Sequence, residues 1–148
     1  MTLHPLLGAL ISFIICAALA PIVRKLCLRY DAVDRPGPLK IHATPIPRLG
    51  GVAVFASIVA GFLFSENQDS RAGAFFLAAF AVVWIVGVAD DLRDISPYTR
   101  LVGQTTAGMI LWFGGWRFPA LGALAHSSGV NLLFLTVAVV TFANAFNF

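Results

Sequence analysis

The stretch GVADDLRDIS at 87–96 sets Asp90 and Asp91 side by side, with Asp94 close behind, directly after a strongly apolar run. Neighbouring carboxylates repel each other, and the C-terminal end of a helix disfavours negative charge. Something positive must offset them. Arg93 and Arg100 could do so, which would make the turn an ordinary solvated connector. The alternative is a divalent cation, because Mg2+ is commonly held by one or two carboxylates, waters and the oxygens of a substrate phosphate.

A second group lies in RKLCLRYDAVDRPGPLKIHATPIPRLGG, 24–51. Pro36, Pro38, Pro45 and Pro47 each disfavour helix at the preceding residue, so this connector is expected to be stiff and extended. It would hold Lys40, His42 and Arg48 on a defined backbone, and Gly50 and Gly51 would then let the chain approach a neighbour closely. The competing reading makes Lys40 and Arg48 topology signals that snorkel to headgroups, with the glycines serving helix packing. A third group is NAFNF at 144–148, where Asn144 and Asn147, three residues apart, share one helix face. Two such amides either read the polar edge of a ligand or cap and cross-link helices. His4 and His126 have no acidic or histidine neighbour at metal-ligand spacing and are not counted as ligands.

The elements that must position these groups are set by composition. Of 148 residues, 59% are hydrophobic and 11% charged, with a mean hydropathy of +0.87. Five apolar runs, near 3–23, 49–64, 72–89, 101–116 and 130–146, approach the roughly 17–25 residues that cross a bilayer as a helix. The expected fold is an all-α, polytopic transmembrane bundle of about five helices forming a single domain over 1–148, with connectors at 24–48 and 90–96. Ser96 followed by Pro97 is a helix start, with serine as N-cap and proline at the first helical position. Ala18-Leu19-Ala20 has the form of a signal cleavage site, but no Lys or Arg precedes the run and Pro21 follows, which favours a retained helix. Cys16 and Cys27 are too few and too badly placed for a disulfide framework and read as packing residues.

A formal charge of +3 is compatible with a nucleic-acid partner, yet the basic residues form no face and are not interleaved with exposed aromatics. No nucleic-acid partner is expected. Their distribution reports topology instead. With five spans, Arg24, Lys25, Arg29, Arg35, Lys40, Arg48, Arg93 and Arg100 fall on one side and only Arg71 and Arg117 on the other. The basic side is expected to be cytoplasmic, with the N-terminus outside and the C-terminus inside. A transporter or ion-pathway subunit would place charged or polar residues within the spans, and the five runs hold essentially none. A purely structural or assembly protein explains the hydrophobicity but leaves the acidic pair and the proline-stiffened loop as coincidences on one face.

Taken in order, DRPGPLKIHATPIPRLGG at 34–51, GVADDLRDISPYTRLVGQ at 87–104 and NAFNF at 144–148 resemble the polyprenyl-phosphate N-acetylhexosamine-1-phosphate transferases, polytopic enzymes that start bacterial cell-wall and surface polysaccharides. HATPIPRLGG is similar to the branch that uses UDP-N-acetylglucosamine or a related sugar. It is less similar to the MurNAc-pentapeptide branch, which stays as the alternative. The resemblance implies transfer of a sugar 1-phosphate to a polyprenyl phosphate, usually undecaprenyl, with release of UMP and a requirement for Mg2+.

The resemblance maps the family's aspartate pair onto Asp90 and Asp91, its loop His and Arg onto His42 and Arg48, and its asparagines onto Asn144 and Asn147; Lys40 joins the substrate-binding set. It gives Asp90 a proton-accepting or nucleophile-orienting role and Asp91 the metal side. Many members carry Arg-Lys where this chain has Leu39-Lys40, so one phosphate-binding charge is missing here or supplied from elsewhere. The asparagine motif normally continues into an Asp-Gly stretch, so the chain is expected to be the N-terminal half of such an enzyme and inactive alone. It is expected in the inner membrane as a multi-pass protein, and a homodimer is compatible with the sequence.

Overall fold

The computed structural model describes residues 4–36, 44–64, 71–118 and 127–145. In chain order it comprises α1 (His4–Arg29), β1 (Val33–Asp34), β2 (Ile46–Pro47), α2 (Gly50–Leu63), α3 (Arg71–Arg93), α4 (Pro97–Phe113) and α5 (Ser128–Ala145). The expected all-α, five-helix membrane architecture is therefore present, with one short ribbon added. Leu6–Arg29 of α1, all of α3 and all of α5 are long and apolar enough to cross a membrane. α2 and α4, with 14 and 17 residues, are shorter than the roughly 20 residues of an untilted span.

Two helices run past the ends of their apolar runs. α1 continues through Pro21 to Arg29, and α3 includes Asp90 and Asp91 in its last turns rather than releasing them into a connector at 90. Hydrophobicity does not set these ends; residues with left-handed backbone do. At the end of α1, Asp31 has φ 57° and the Ala32 N–H donates to the Cys27 carbonyl at 2.9 Å, a Schellman closure. At the end of α3, Asp94 has φ 46° and its N–H donates to the Asp90 carbonyl at 3.0 Å. Aspartate is among the few non-glycine residues that accept this conformation. Ser96 caps α4 as its type suggests, its Oγ accepting from the Thr99 N–H at 3.2 Å with Pro97 in the first turn.

The described helices form two compact units: one of α1, the ribbon, α2 and residues 88–94, the other of α3 up to Gly87 with α4 and α5. In the first unit α2 buries Ala53, Ser57 and Gly61, a stripe of small residues at a spacing of four that lets α1 and α2 approach closely. A Cβ on Gly61 would collide with Ser12 and lie 2.7 Å from the Gly8 carbonyl oxygen. In the second unit α4 and α5 meet at Gly108, whose absent Cβ would lie 2.7 Å from the Cα of Thr136, while Ala107 and Leu135 are buried beside it. At the other end of α4 the Trp112 and Trp116 indoles donate to the carbonyls of Ser128 (3.1 Å) and Ala72 (2.9 Å). Arg71 and Arg117 donate there to the carbonyls of Phe113 and Trp112, so both cations satisfy helix-end acceptors.

Candidate functional site

The ribbon explains how the proline-rich connector reaches the acidic helix end. β1 and β2 pair antiparallel, Val33 opposite Pro47 and Asp34 opposite Ile46, and the Arg48 N–H donates to the Ala32 carbonyl at 3.2 Å. In so short a ribbon the missing N–H of Pro47 costs little. Lys40 and His42 belong to the segment that leaves at β1 and returns at β2, and both lie outside the described residues, as does Asn147.

Arg48 follows β2 directly and is the centre of the first unit's polar cluster. Its Nη2 donates to the Asp34 carboxylate at 2.7 Å, a half-buried ion pair, and its Nη1 donates to the main-chain carbonyl of Asp91 at 3.2 Å. The Asp91 carbonyl is among the last acceptors of α3, left without a partner inside the helix, and a cation there also suits the dipole. The positive charge that the acidic turn requires thus arrives from β2. The hydrogen bond to Asp34 raises the Arg48 pKa above its ordinary value against the opposing effect of burial, with the charges of Asp34, Asp94 and Asp91 adding to it. Arg48 is therefore a fixed cation across the working pH range.

The Asp91 carboxylate has no hydrogen bond or ion pair among the described residues, because Arg48 takes its carbonyl rather than its side chain. Asp90 and Asp91, being adjacent on a helix, point about 100° apart and cannot both grip one small ion closely. Among the described residues no three His, Cys, Asp or Glu side chains converge as a metal cage. The donor set suits a cation shared with a substrate phosphate, the mode that Mg2+ favours.

Asn144 lies in the second unit, at the end of α5. Its Nδ2 donates to the Gln104 Oε1 at 2.8 Å and to the Val140 carbonyl at 2.7 Å. The structure thus brings Arg48 to the α3 end that carries Asp90 and Asp91, and gives Asn144 a partner on α4.

The model for glycosyl transferase family 4 matches residues 73–148. The chain belongs to this family. It is 32% identical over 158 aligned positions to a decaprenyl-phosphate N-acetylglucosaminephosphotransferase of Mycobacterium tuberculosis (strain CDC 1551 / Oshkosh), covering 97% of this chain and 39% of that protein. An undecaprenyl-phosphate alpha-N-acetylglucosaminyl 1-phosphate transferase of Escherichia coli (strain K12) is 33% identical over 84% of this chain and 35% of its own length. A probable undecaprenyl-phosphate N-acetylglucosaminyl 1-phosphate transferase of Bacillus subtilis (strain 168) is 29% identical over 69% of this chain and 28% of its own length. The chain spans between 28% and 39% of the length of these curated relatives. No solved structure matches it.

Within this family member the structure adds three residues and removes two expectations. Asp34 stands inside DRPGPLK without an assigned role, yet it anchors Arg48; the available signal was an acid and a base flanking a segment that prolines make stiff. Gln104 is a polar residue in an apolar run, and Asn131 is another, fully buried and accepting from the Phe118 N–H at 3.1 Å. Both contradict the expectation of runs without polar residues, and each has a hydrogen-bonded partner. Gly50 and Gly51 do not make the expected close approach, since a Cβ on either would meet nothing within 4 Å among the described residues.

Proposed function

We propose that the full-length protein transfers N-acetylglucosamine 1-phosphate from UDP-N-acetylglucosamine to a polyprenyl phosphate at the cytoplasmic face of the inner membrane. Supporting this reading are the family, the names of the relatives, and one observation above all: Arg48 joined to the α3 end that carries Asp90 and Asp91. An oxygen of the lipid phosphate attacks the phosphorus next to the sugar. The pyrophosphate P–O bond breaks, and UMP leaves with the bridging oxygen. The products are UMP and the polyprenyl diphosphate sugar.

Both substrates are anionic, so catalysis rests on neutralisation and positioning. Arg48, with Lys40 from the same connector, supplies fixed positive charge beside the phosphates. Asp90 orients the attacking phosphate and accepts its proton where it carries one; Asp91, whose carboxylate has no partner among the described residues, serves the metal side. Mg2+ bound there would offset the charge of the pyrophosphate and of the departing UMP. Asn144, Asn147 and His42 contact the sugar nucleotide. The apolar helices let the lipid tail stay in the bilayer while its phosphate reaches the surface.

Purified full-length protein, supplied with UDP-N-acetylglucosamine, undecaprenyl or decaprenyl phosphate and Mg2+, is expected to release UMP and form the lipid-linked sugar. The isolated 148-residue chain is expected to do neither. Absence of UMP release by the intact protein with both lipids would overturn the proposal.

A further inference from the structure

We propose that Gln104 is a positioning residue that orients the Asn144 amide for substrate, an inference that rests on the transferase reading for its functional consequence. The Val140 carbonyl, one turn back on α5, can only accept, so the Asn144 Nδ2 must face it; the 2.7 Å bond fixes which way the amide is turned. The second Nδ2 proton then points at α4, where Gln104 Oε1 receives it at 2.8 Å. With both donors used, Oδ1 is directed away as an acceptor, with no partner among the described residues.

Gln104 is itself held in place. It is 5% exposed and lies one turn before Gly108 on the face of α4 that also buries Ala107. Gly108 meets the main chain of Thr136, and Thr136, Val140 and Asn144 follow one another at a spacing of four along α5. The amide pair therefore extends the tightest seam between α4 and α5, and that seam sets the reach of the Gln104 side chain. Replacing Gln104 by an apolar residue of similar size keeps the seam filled but frees one Asn144 proton, and the amide can turn.

The test uses the full-length protein with Asn-selective isotope labelling in detergent micelles. Gln104→Leu is expected to shift one Asn144 side-chain N–H signal, and to lower kcat/KM for UDP-N-acetylglucosamine about tenfold, the worth of one well-made hydrogen bond. Gln104→Glu, which keeps an acceptor oxygen at that place, is expected to restore both. In an Asn144→Ala background, Gln104→Leu should add no further loss. An unshifted Asn144 signal in Gln104→Leu, or losses that simply multiply in the double variant, would overturn the proposal. If Gln104→Leu does not insert, Gln104→Asn, one methylene too short for the contact, takes its place. If the wild-type protein shows no transfer, the functional reading fails, while the amide signal still decides whether Gln104 holds Asn144.

Discussion

Arg48 donates to the main-chain carbonyl of Asp91 at 3.2 Å and to the Asp34 carboxylate at 2.7 Å, joining the end of the ribbon to the end of α3. One guanidinium meets two needs that are separate in sequence. The acidic helix end gains a cation, and the proline-rich connector gains a fixed exit. The planar fork of arginine makes both contacts at once, which a lysine ammonium on a flexible stem does less well.

Arg48→Ala should therefore loosen the last turn of α3, at a local cost of about 1–3 kcal/mol for a charged hydrogen-bonding group. Amide exchange at 90–95 measures it, the Asp94 N–H bonded to the Asp90 carbonyl being the sensitive probe. Arg48→Lys should recover only part of the protection. Because the arginine pKa is raised, its stabilising charge is complete below the ordinary arginine value and is lost only above it. Protection in the wild type should thus hold from neutral into mildly alkaline pH; a fall in that range would show that another group carries the tie.

Asp90→Asn and Asp91→Asn, each made in the full-length protein, should lower turnover by at least about a hundredfold, in line with the loss of a group acting on a charged transition state. Insertion should remain normal, because neither change removes the main-chain carbonyl that Arg48 binds. Chelation of Mg2+ should abolish UMP release and re-addition restore it. Wild-type turnover from both variants would return the pair to an ordinary helix end.

Much of this was legible in the chain, and the exceptions have a physical cause. Hydropathy marks the helices because burial in lipid needs only composition and length, and Ser96-Pro97 marks the start of α4 because capping is local. Helix ends governed by Asp31 and Asp94 escaped, since one left-handed residue carries no hydropathy signal. The Asp34–Arg48 pair escaped because it depends on a ribbon of two-residue strands, too short for an alternating pattern. Gln104 was visible as a polar residue in an apolar run, but its partner lies 40 residues away on another helix. Gly50 and Gly51 misled because glycine type alone does not say whether a neighbour is present.

Asp94 offers a direct check on the α3 boundary. Its φ of 46° is one that glycine adopts freely and β-branched residues resist. Asp94→Gly should leave exchange at the end of α3 unchanged or slower, whereas Asp94→Val should cost about 1–2 kcal/mol, the strain of a left-handed non-glycine residue. Equal effects of the two substitutions would mean that α3 does not end on a left-handed residue.

The glycines of α2 separate packing from mere flexibility. Gly61→Ala places a Cβ against Ser12 and 2.7 Å from the Gly8 carbonyl oxygen, and since the latter is backbone, the α1–α2 approach must widen. Overpacking of this kind costs about 1–3 kcal/mol. Gly51→Ala meets nothing within 4 Å among the described residues and lies in the first turn of α2, so it should stabilise by up to about 1 kcal/mol through helix propensity. Thermal unfolding in detergent micelles is expected to move in opposite directions for the two variants. A destabilised Gly51→Ala would indicate that an element outside the described residues packs there, whereas a neutral Gly61→Ala would contradict the close crossing of α1 and α2.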